Sequence, residues 1–188
     1  DWITAPIGGG GTLTGIWRGF LDLRELGLIE RLPRLIGVQP KGFDALARAQ
    51  QTGGDWRAIG EALPYPAGSD EEALCAKLTH TVPPDGDDVW KAVTTSGGFF
   101  PSATGAEALA AQGEIASTDG LFPETSSTLV LSSLRQLVER GVIGAEETVV
   151  ALLTGSGFRE LTVLEQYATR PPLLLTPDEV PGWLARQG

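Results

Sequence analysis

The chain has 188 residues, 41% of them hydrophobic and 20% charged, which is ordinary for a globular protein with a sizeable buried core. Its formal net charge of -10 argues against nucleic acid and acidic membranes as partners, because recognition of phosphates needs clustered Lys and Arg. A single Cys and a single His exclude an intramolecular disulfide and a Cys/His metal site, which fits a cytoplasmic setting, and no apolar stretch predicts a membrane span.

The start of the chain predicts a βαβ unit. Residues 2–7 form a short apolar run that ends on four consecutive glycines, residues 8–11, which we call the glycine loop. Thr12 is the expected N-cap of the helix that follows, and Gly27 is the expected end of that helix. Its apolar residues recur at three- and four-residue spacing: Leu13, Ile16, Trp17, Phe20 and Leu23. A second buried strand over residues 35–38 then predicts a parallel sheet.

The middle of the chain is less regular. Helices are expected over residues 43–51 and 71–78, with another short element over residues 87–95. The segment between the first two, residues 52–70, is rich in Gly and Pro and predicts irregular structure. Further on, Thr104 and Glu107 have the spacing of a capping box, which indicates that a helix begins there.

The last third predicts a helix and then a buried strand. Ser126 or Ser127 is the expected N-cap, and Gly141 is the expected end of the helix. The expected buried face consists of Leu131, Leu134, Leu137 and Val138. Residues 148–153 are continuously apolar and rich in β-branched side chains, as is typical of a strand buried on both faces. A last short helix is expected after Thr176.

Together these elements predict one α/β domain over residues 1–188, with an open parallel sheet and flanking helices. Ligands gather at the carboxyl ends of parallel strands, and both glycine-rich turns follow such ends. The second turn is Thr154-Gly155-Ser156-Gly157, the 154–157 turn, where the Thr154 hydroxyl faces this edge. The alternative is that a Thr-Gly turn after a strand is a common structural feature.

The glycine loop has the composition of an anion site. Glycines let backbone N–H groups converge on one point, and the following helix adds its N-terminal N–H groups and the positive end of its dipole. Thr12 adds a hydroxyl donor. A Walker loop would need a Lys-Ser/Thr pair, and a dinucleotide fingerprint would need another glycine spacing. The expected ligand of the glycine loop is therefore a phosphate monoester, such as that of a cofactor. The alternative is that the four glycines form a flexible tract that binds nothing.

Six segments follow one another in an order that resembles the C-terminal half of threonine synthase and its relatives among the fold type II pyridoxal-phosphate enzymes. They are residues 6–12, 17–20, 31–39, 96–98, 119–124 and 147–158. The resemblance implies pyridoxal 5′-phosphate as the cofactor, with the glycine loop around its phosphate and Thr154 on its pyridine nitrogen. A neutral hydroxyl at that nitrogen suits elimination and replacement at the β or γ carbon of an amino acid.

The implied cofactor-binding residues are Gly8, Gly9, Gly10, Gly11, Thr12, Thr154 and Glu124. Glu124 matches a carboxylate of the family near the cofactor, although it could instead cap the helix that follows it. The segment over residues 78–83 matches the family poorly, which favours a specialised relative with a shifted substrate. His80, within that segment, is expected to be structural or exposed.

The resemblance also shows what this chain lacks. The Schiff-base lysine of the family lies in its N-terminal half, and nothing around Lys41, Lys77 or Lys91 resembles its motif. We therefore expect no catalytic residue here, and lyase activity only together with an N-terminal half or companion subunit in a homo- or hetero-oligomer. The absence of Met fits a piece of a larger or split protein. The alternative is a non-catalytic binding or regulatory domain that kept the fold.

Overall fold

Four parallel strands form the sheet of this protein, in the order β3-β2-β1-β4. The computed structural model describes residues 1–160 and 174–186. The strands are β1 (Trp2–Pro6), β2 (Arg34–Pro40), β3 (Ser102–Ala103) and β4 (Val149–Ala151). The predicted α/β class with an open parallel sheet is confirmed.

Helices cover both faces of this sheet. The α-helices in the described ranges are α1 (Gly11–Glu25), α2 (Ala45–Thr52), α3 (Trp56–Ala62), α4 (Asp70–Leu74), α5 (Gly86–Thr95), α6 (Gly105–Thr118), α7 (Thr125–Glu139) and α8 (Val180–Leu184). Two 3-10 turns lie at Ala76–Leu78 and Gly157–Arg159. No helix in this part of the chain has the length and apolar character needed to cross a membrane.

The expected βαβ unit is β1, α1 and β2, and its strands are buried on both faces. Successive side chains of a strand point to opposite faces. Ile3 and Leu35 accordingly belong to a core with α1, α2 and α5, whereas Trp2 and Ile36 belong to a second core with α6 and α7. Gly27 follows α1 with a φ of 69°, so the predicted helix end is confirmed.

The cap of α1 differs from the prediction. Gly10, with a φ of 104°, is the N-cap, and Thr12 lies within the first turn. The left-handed backbone needed to turn from β1 into α1 favours glycine, so the loop itself supplies the cap. The capping box at the start of α6 is confirmed, since Thr104 and Glu107 each accept from the other's backbone N–H.

A helix was missed in the segment expected to be irregular. In α3, the Asp55 side chain accepts hydrogen bonds from the backbone N–H groups of Arg57 and Ala58. The seven residues of this helix are too few for apolar periodicity to stand out between flanking Gly and Pro. Its stability comes from its cap and from burial of Trp56.

The expected buried face of α7 is only partly right. Of its four residues, Leu137 is buried, whereas Val138 is 55% exposed. The buried face is rich in small polar residues, and Thr128 Oγ1 donates to the carbonyl oxygens of Ala108 at 2.6 Å and of Thr125 at 2.8 Å. Neither Ser126 nor Ser127 is the N-cap, because that position belongs to Glu124.

The expectation that β4 is buried on both faces is wrong for this chain. β4 pairs with β1 along one side and is the end of the sheet in the described ranges. Val150 is 51% exposed as a result. β4 is therefore apolar in composition although the described residues do not cover its outer side.

Candidate functional site

The two glycine-rich turns lie side by side at the carboxyl edge of the sheet. β1 leads into the glycine loop and β4 leads into the 154–157 turn, and these two strands are neighbours in the sheet. Side chains and backbone groups of both turns therefore face one region, as the strand order of an open parallel sheet predicts for a ligand site.

The glycine loop presents unpaired donors. Among the described residues, none accepts a hydrogen bond from the N–H groups of Gly8, Gly9, Gly10, Gly11 and Thr12. The helix dipole of α1 adds positive potential at the same place. Thr12 is exposed on the first helical turn, next to this loop. These are the requirements of a phosphate site.

Close packing restricts two positions of the loop to glycine. A Cβ on Gly8 would lie 2.7 Å from the carbonyl oxygen of Lys77. A Cβ on Gly10 would lie 2.9 Å from Cγ1 of Val89, on a residue whose φ is already left-handed. The loop is thus a built cradle with two fixed walls, which contradicts the alternative of a flexible glycine tract.

An acidic side chain flanks the same cradle. The Asp85 N–H donates to the carbonyl oxygen of Gly9 at 2.9 Å, which anchors the start of α5 to the loop. The Asp85 carboxylate is exposed, and Oδ2 lies 2.9 Å from where a Cβ of Gly11 would be. A bound phosphate would therefore lie near the negatively charged Asp85 carboxylate. Its affinity would then depend on the net charge of the other residues of the site.

Backbone pairing joins Glu124 to the 154–157 turn. The Glu124 N–H donates to the Gly155 carbonyl at 3.0 Å, and the Gly157 N–H donates to the Phe122 carbonyl at 2.8 Å. A Cβ on Gly155 would overlap the Glu124 carboxyl group, so only glycine fits below it. Thr154 is exposed, lining a cavity of about 390 Å³ beside this turn. The structure thus brings Glu124 against the turn that carries Thr154.

The buried Glu124 carboxylate is neutralised by a lysine. Glu124 is at the N-cap position of α7, but its side chain makes no capping hydrogen bond. It instead pairs with the Lys77 ammonium, which also lies 2.9 Å from Oε1 of Glu160. The two carboxylate side chains are 8% and 16% exposed. Hydrogen bonds to Glu124, and then to Glu160, raise the pKa of Lys77.

Sequence reasoning missed this role of Lys77. The residue is 47 positions from Glu124, and no local motif connects the two. Its backbone forms one wall at Gly8 and its side chain reaches Glu124, so Lys77 connects the glycine loop to the second turn. His80, in contrast, is exposed.

The residues present fit a cofactor with a phosphate monoester. The glycine loop offers unpaired N–H groups on a backbone packed too closely against Lys77 and Val89 for a Cβ, and the adjacent turn offers the Thr154 hydroxyl and the Glu124 carboxylate. This arrangement can bind a phosphate at one end of a small molecule and a polar ring at the other. No lysine of the described chain is free at that place, since Lys77 is held between two carboxylates.

Comparison with known proteins reveals relatives along most of the chain. The family described as "Pyridoxal-phosphate dependent enzyme" matches residues 1–155, which include both turns up to Gly155. The threonine synthase of Methanosarcina acetivorans is 33% identical over 155 residues, covering 82% of this chain and 36% of that protein. The threonine synthase of Methanocaldococcus jannaschii is 27% identical over 160 residues, covering 85% of this chain and 38% of that protein. This chain therefore spans less than half the length of these relatives.

A solved structure supports the fold. The crystal structure of O-ureido-L-serine synthase matches with a TM-score of 0.60 and 19% identity, covering 98% of this chain and 46% of that one. The expected fold, half of a fold type II pyridoxal-phosphate enzyme, is confirmed by this likeness together with the parallel sheet.

Proposed function

Because this chain belongs to the family of pyridoxal-phosphate-dependent enzymes, we propose that it is the phosphate-binding half of an elimination or replacement enzyme that acts on an amino acid. One observation carries the proposal: the unpaired N–H groups of the glycine loop and the Thr154 hydroxyl lie at the ends of neighbouring strands. The donors are suited to the 5′-phosphate and the pyridine nitrogen of the cofactor, respectively.

In this proposal, the residues of this chain bind and orient the cofactor. The N–H groups of Gly8, Gly9, Gly10 and Gly11, with Thr12, hold the phosphate at the N-terminus of α1. The Thr154 hydroxyl would donate a hydrogen bond to the pyridine nitrogen and, being neutral, would leave that nitrogen unprotonated. When bound, pyridoxal phosphate withdraws electrons from the α-carbon of the amino acid, and an unprotonated ring does so mildly, which suits lyase chemistry.

The lysine that such chemistry needs would come from a companion half. Lys41, Lys77 and Lys91 are the lysines of the sequence, and none lies in a motif resembling that of the family. The described surface supports a partner, since β4 has an open edge and Val150, Phe158 and Leu121 are all more than half exposed. We infer a homo- or hetero-oligomer in which an N-terminal half, as a separate chain or as part of the same protein, covers this edge.

The substrate class follows from the relatives. The two proteins named above are threonine synthases, so O-phosphohomoserine or a related amino acid is the proposed substrate. The sequence of residues 78–83, which departs from the pattern expected of the family, favours a specialised relative. The second candidate function is a non-catalytic binding domain. The observation that favours it is that Lys77, the lysine of this site, is ion-paired with two carboxylates, Glu124 and Glu160.

Cofactor binding tests the site directly. We would titrate the purified chain with pyridoxal 5′-phosphate by calorimetry, alone and with a companion half, and repeat this for Thr154→Val. Loss of the hydroxyl should weaken binding by about tenfold, the range of one hydrogen bond to a ring nitrogen. The matched control is Thr148→Val, at an exposed threonine before β4, which should leave the affinity unchanged.

The companion half decides between the two functions. Borohydride reduction of the holoprotein should attach the cofactor to a lysine of the companion, and turnover of O-phosphohomoserine should require both parts. Binding of the cofactor without any companion that supports turnover would favour the non-catalytic domain. No binding by the chain, alone or combined, would refute the proposed site.

A further inference from the structure

We propose that Lys77 is a positioning residue of this site: it holds Glu124 against the 154–157 turn and neutralises the paired carboxylates, so that an anionic cofactor can bind beside them. The inference rests on the proposed function. It assigns a role to the side chain of Lys77, which supplies no donor to the proposed phosphate site and no contact to the ring nitrogen.

The geometry places Lys77 between two parts of the site. Its carbonyl oxygen lies 2.7 Å from where a Cβ of Gly8 would be, so its backbone is a wall of the phosphate cradle. Its ammonium pairs with Glu124 and lies 2.9 Å from Oε1 of Glu160. Lys77 thus contributes a backbone wall to the glycine loop and positions the Glu124 carboxylate at the 154–157 turn.

Charge explains why a cation is needed there. Glu124 and Glu160 are largely buried, and an anionic phosphate is proposed to bind next to Asp85, which already carries a like charge. Burial, followed by the charges of Glu71 and Glu160, raises the pKa of the Cys75 thiol to about 12. The thiol is therefore neutral, and the cation that pairs with Glu124 and Glu160 in the described site is Lys77.

The same contacts argue against Lys77 as the covalent lysine. Both carboxylates accept hydrogen bonds from its ammonium, which raises the pKa of the amine. An amine attacks an aldehyde only when it is neutral, so this environment opposes that reaction. A positioning role uses the charged form, which is the form that the site favours.

The test is the affinity for pyridoxal 5′-phosphate. We would measure wild type, Lys77→Met, Lys77→Arg, the double variant Lys77→Met/Glu124→Gln, and the control Lys91→Met on an exposed part of α5. At about pH 8 the Met variant should bind about tenfold or more weakly, because an uncompensated carboxylate repels the phosphate.

Rescue separates a positioning role from a purely structural one. The arginine variant and the double variant should both bind within about threefold of wild type at about pH 8, since one restores the cation and the other removes a carboxylate. A Met variant that binds like wild type, or a loss that neither the arginine variant nor the double variant restores, would overturn the inference while leaving the proposed function intact. Borohydride attachment of the cofactor to Lys77 would also overturn it. Failure of wild type to bind would overturn both.

Discussion

Replacing Gly10 by alanine perturbs the cradle at its most constrained point. Gly10 has a φ of 104°, and its added Cβ would lie 2.9 Å from Cγ1 and 3.1 Å from Cβ of Val89, which is fully buried. The left-handed backbone costs an alanine about 1–2 kcal/mol, and overpacking of a close-packed core costs about 1–3 kcal/mol. We therefore expect the free energy of unfolding to fall by about 2–5 kcal/mol.

Urea unfolding followed by tryptophan fluorescence measures this loss, and the melting temperature should fall by about 5–15 °C. The matched control is Gly15→Ala in the exposed middle of α1, where a Cβ meets nothing within 4 Å. That change should stabilise the protein by up to about 1 kcal/mol, because alanine has the higher helix propensity. Equal stability of the Gly10 variant and wild type would refute the argument that this turn requires glycine.

Three further predictions concern the cap, the thiol and the open edge. Thr104→Ala should lower the free energy of unfolding by about 1 kcal/mol at neutral pH. The Thr104 backbone N–H lowers the pKa of Glu107 below its usual value of 4.5, so the ionised Glu107 carboxylate stabilises the fold at pH values above 4.5. This contribution to the free energy of unfolding should be lost as the pH falls below 4.5, and the midpoints of urea unfolding measured at several pH values would show the loss. Cys75, fully buried with a pKa of about 12, should react with a thiol reagent about a hundredfold more slowly in the native protein than in urea, and equal rates would contradict its burial. Val150→Lys should reduce association with a companion half or a second copy in sedimentation experiments, since a charge on the edge strand opposes pairing, and unchanged association would place the interface elsewhere.

Local patterns were enough to predict the elements that surround the glycine loop. The order of apolar run, glycines, amphipathic helix and second apolar run specifies β1, α1 and β2, because each signal lies within a few residues of the element that it describes. The capping box of α6 is equally local, since Thr104 and Glu107 are three residues apart. The same is true of Gly27, whose positive φ ends α1.

Packing between distant segments decided the remaining features. The buried face of α7 is turned toward α6, where close approach of the helices suits Ser and Thr better than the leucines that hydrophobicity alone favours. β4 has the composition of a buried strand, but its exposure depends on what lies beyond the sheet edge, which its own residues do not specify.

The site divides in the same way. Its glycines and Thr154 could be selected from the sequence because a glycine-rich turn after a strand is a local signal, and Glu124 could be selected from the resemblance to the family. The pairing of Lys77 with Glu124 and Glu160 could not, because the three residues come from separate segments of the chain. Only the tertiary structure brings them together, and the burial of two carboxylates, which requires a neighbouring cation, is the physical reason that this pairing exists.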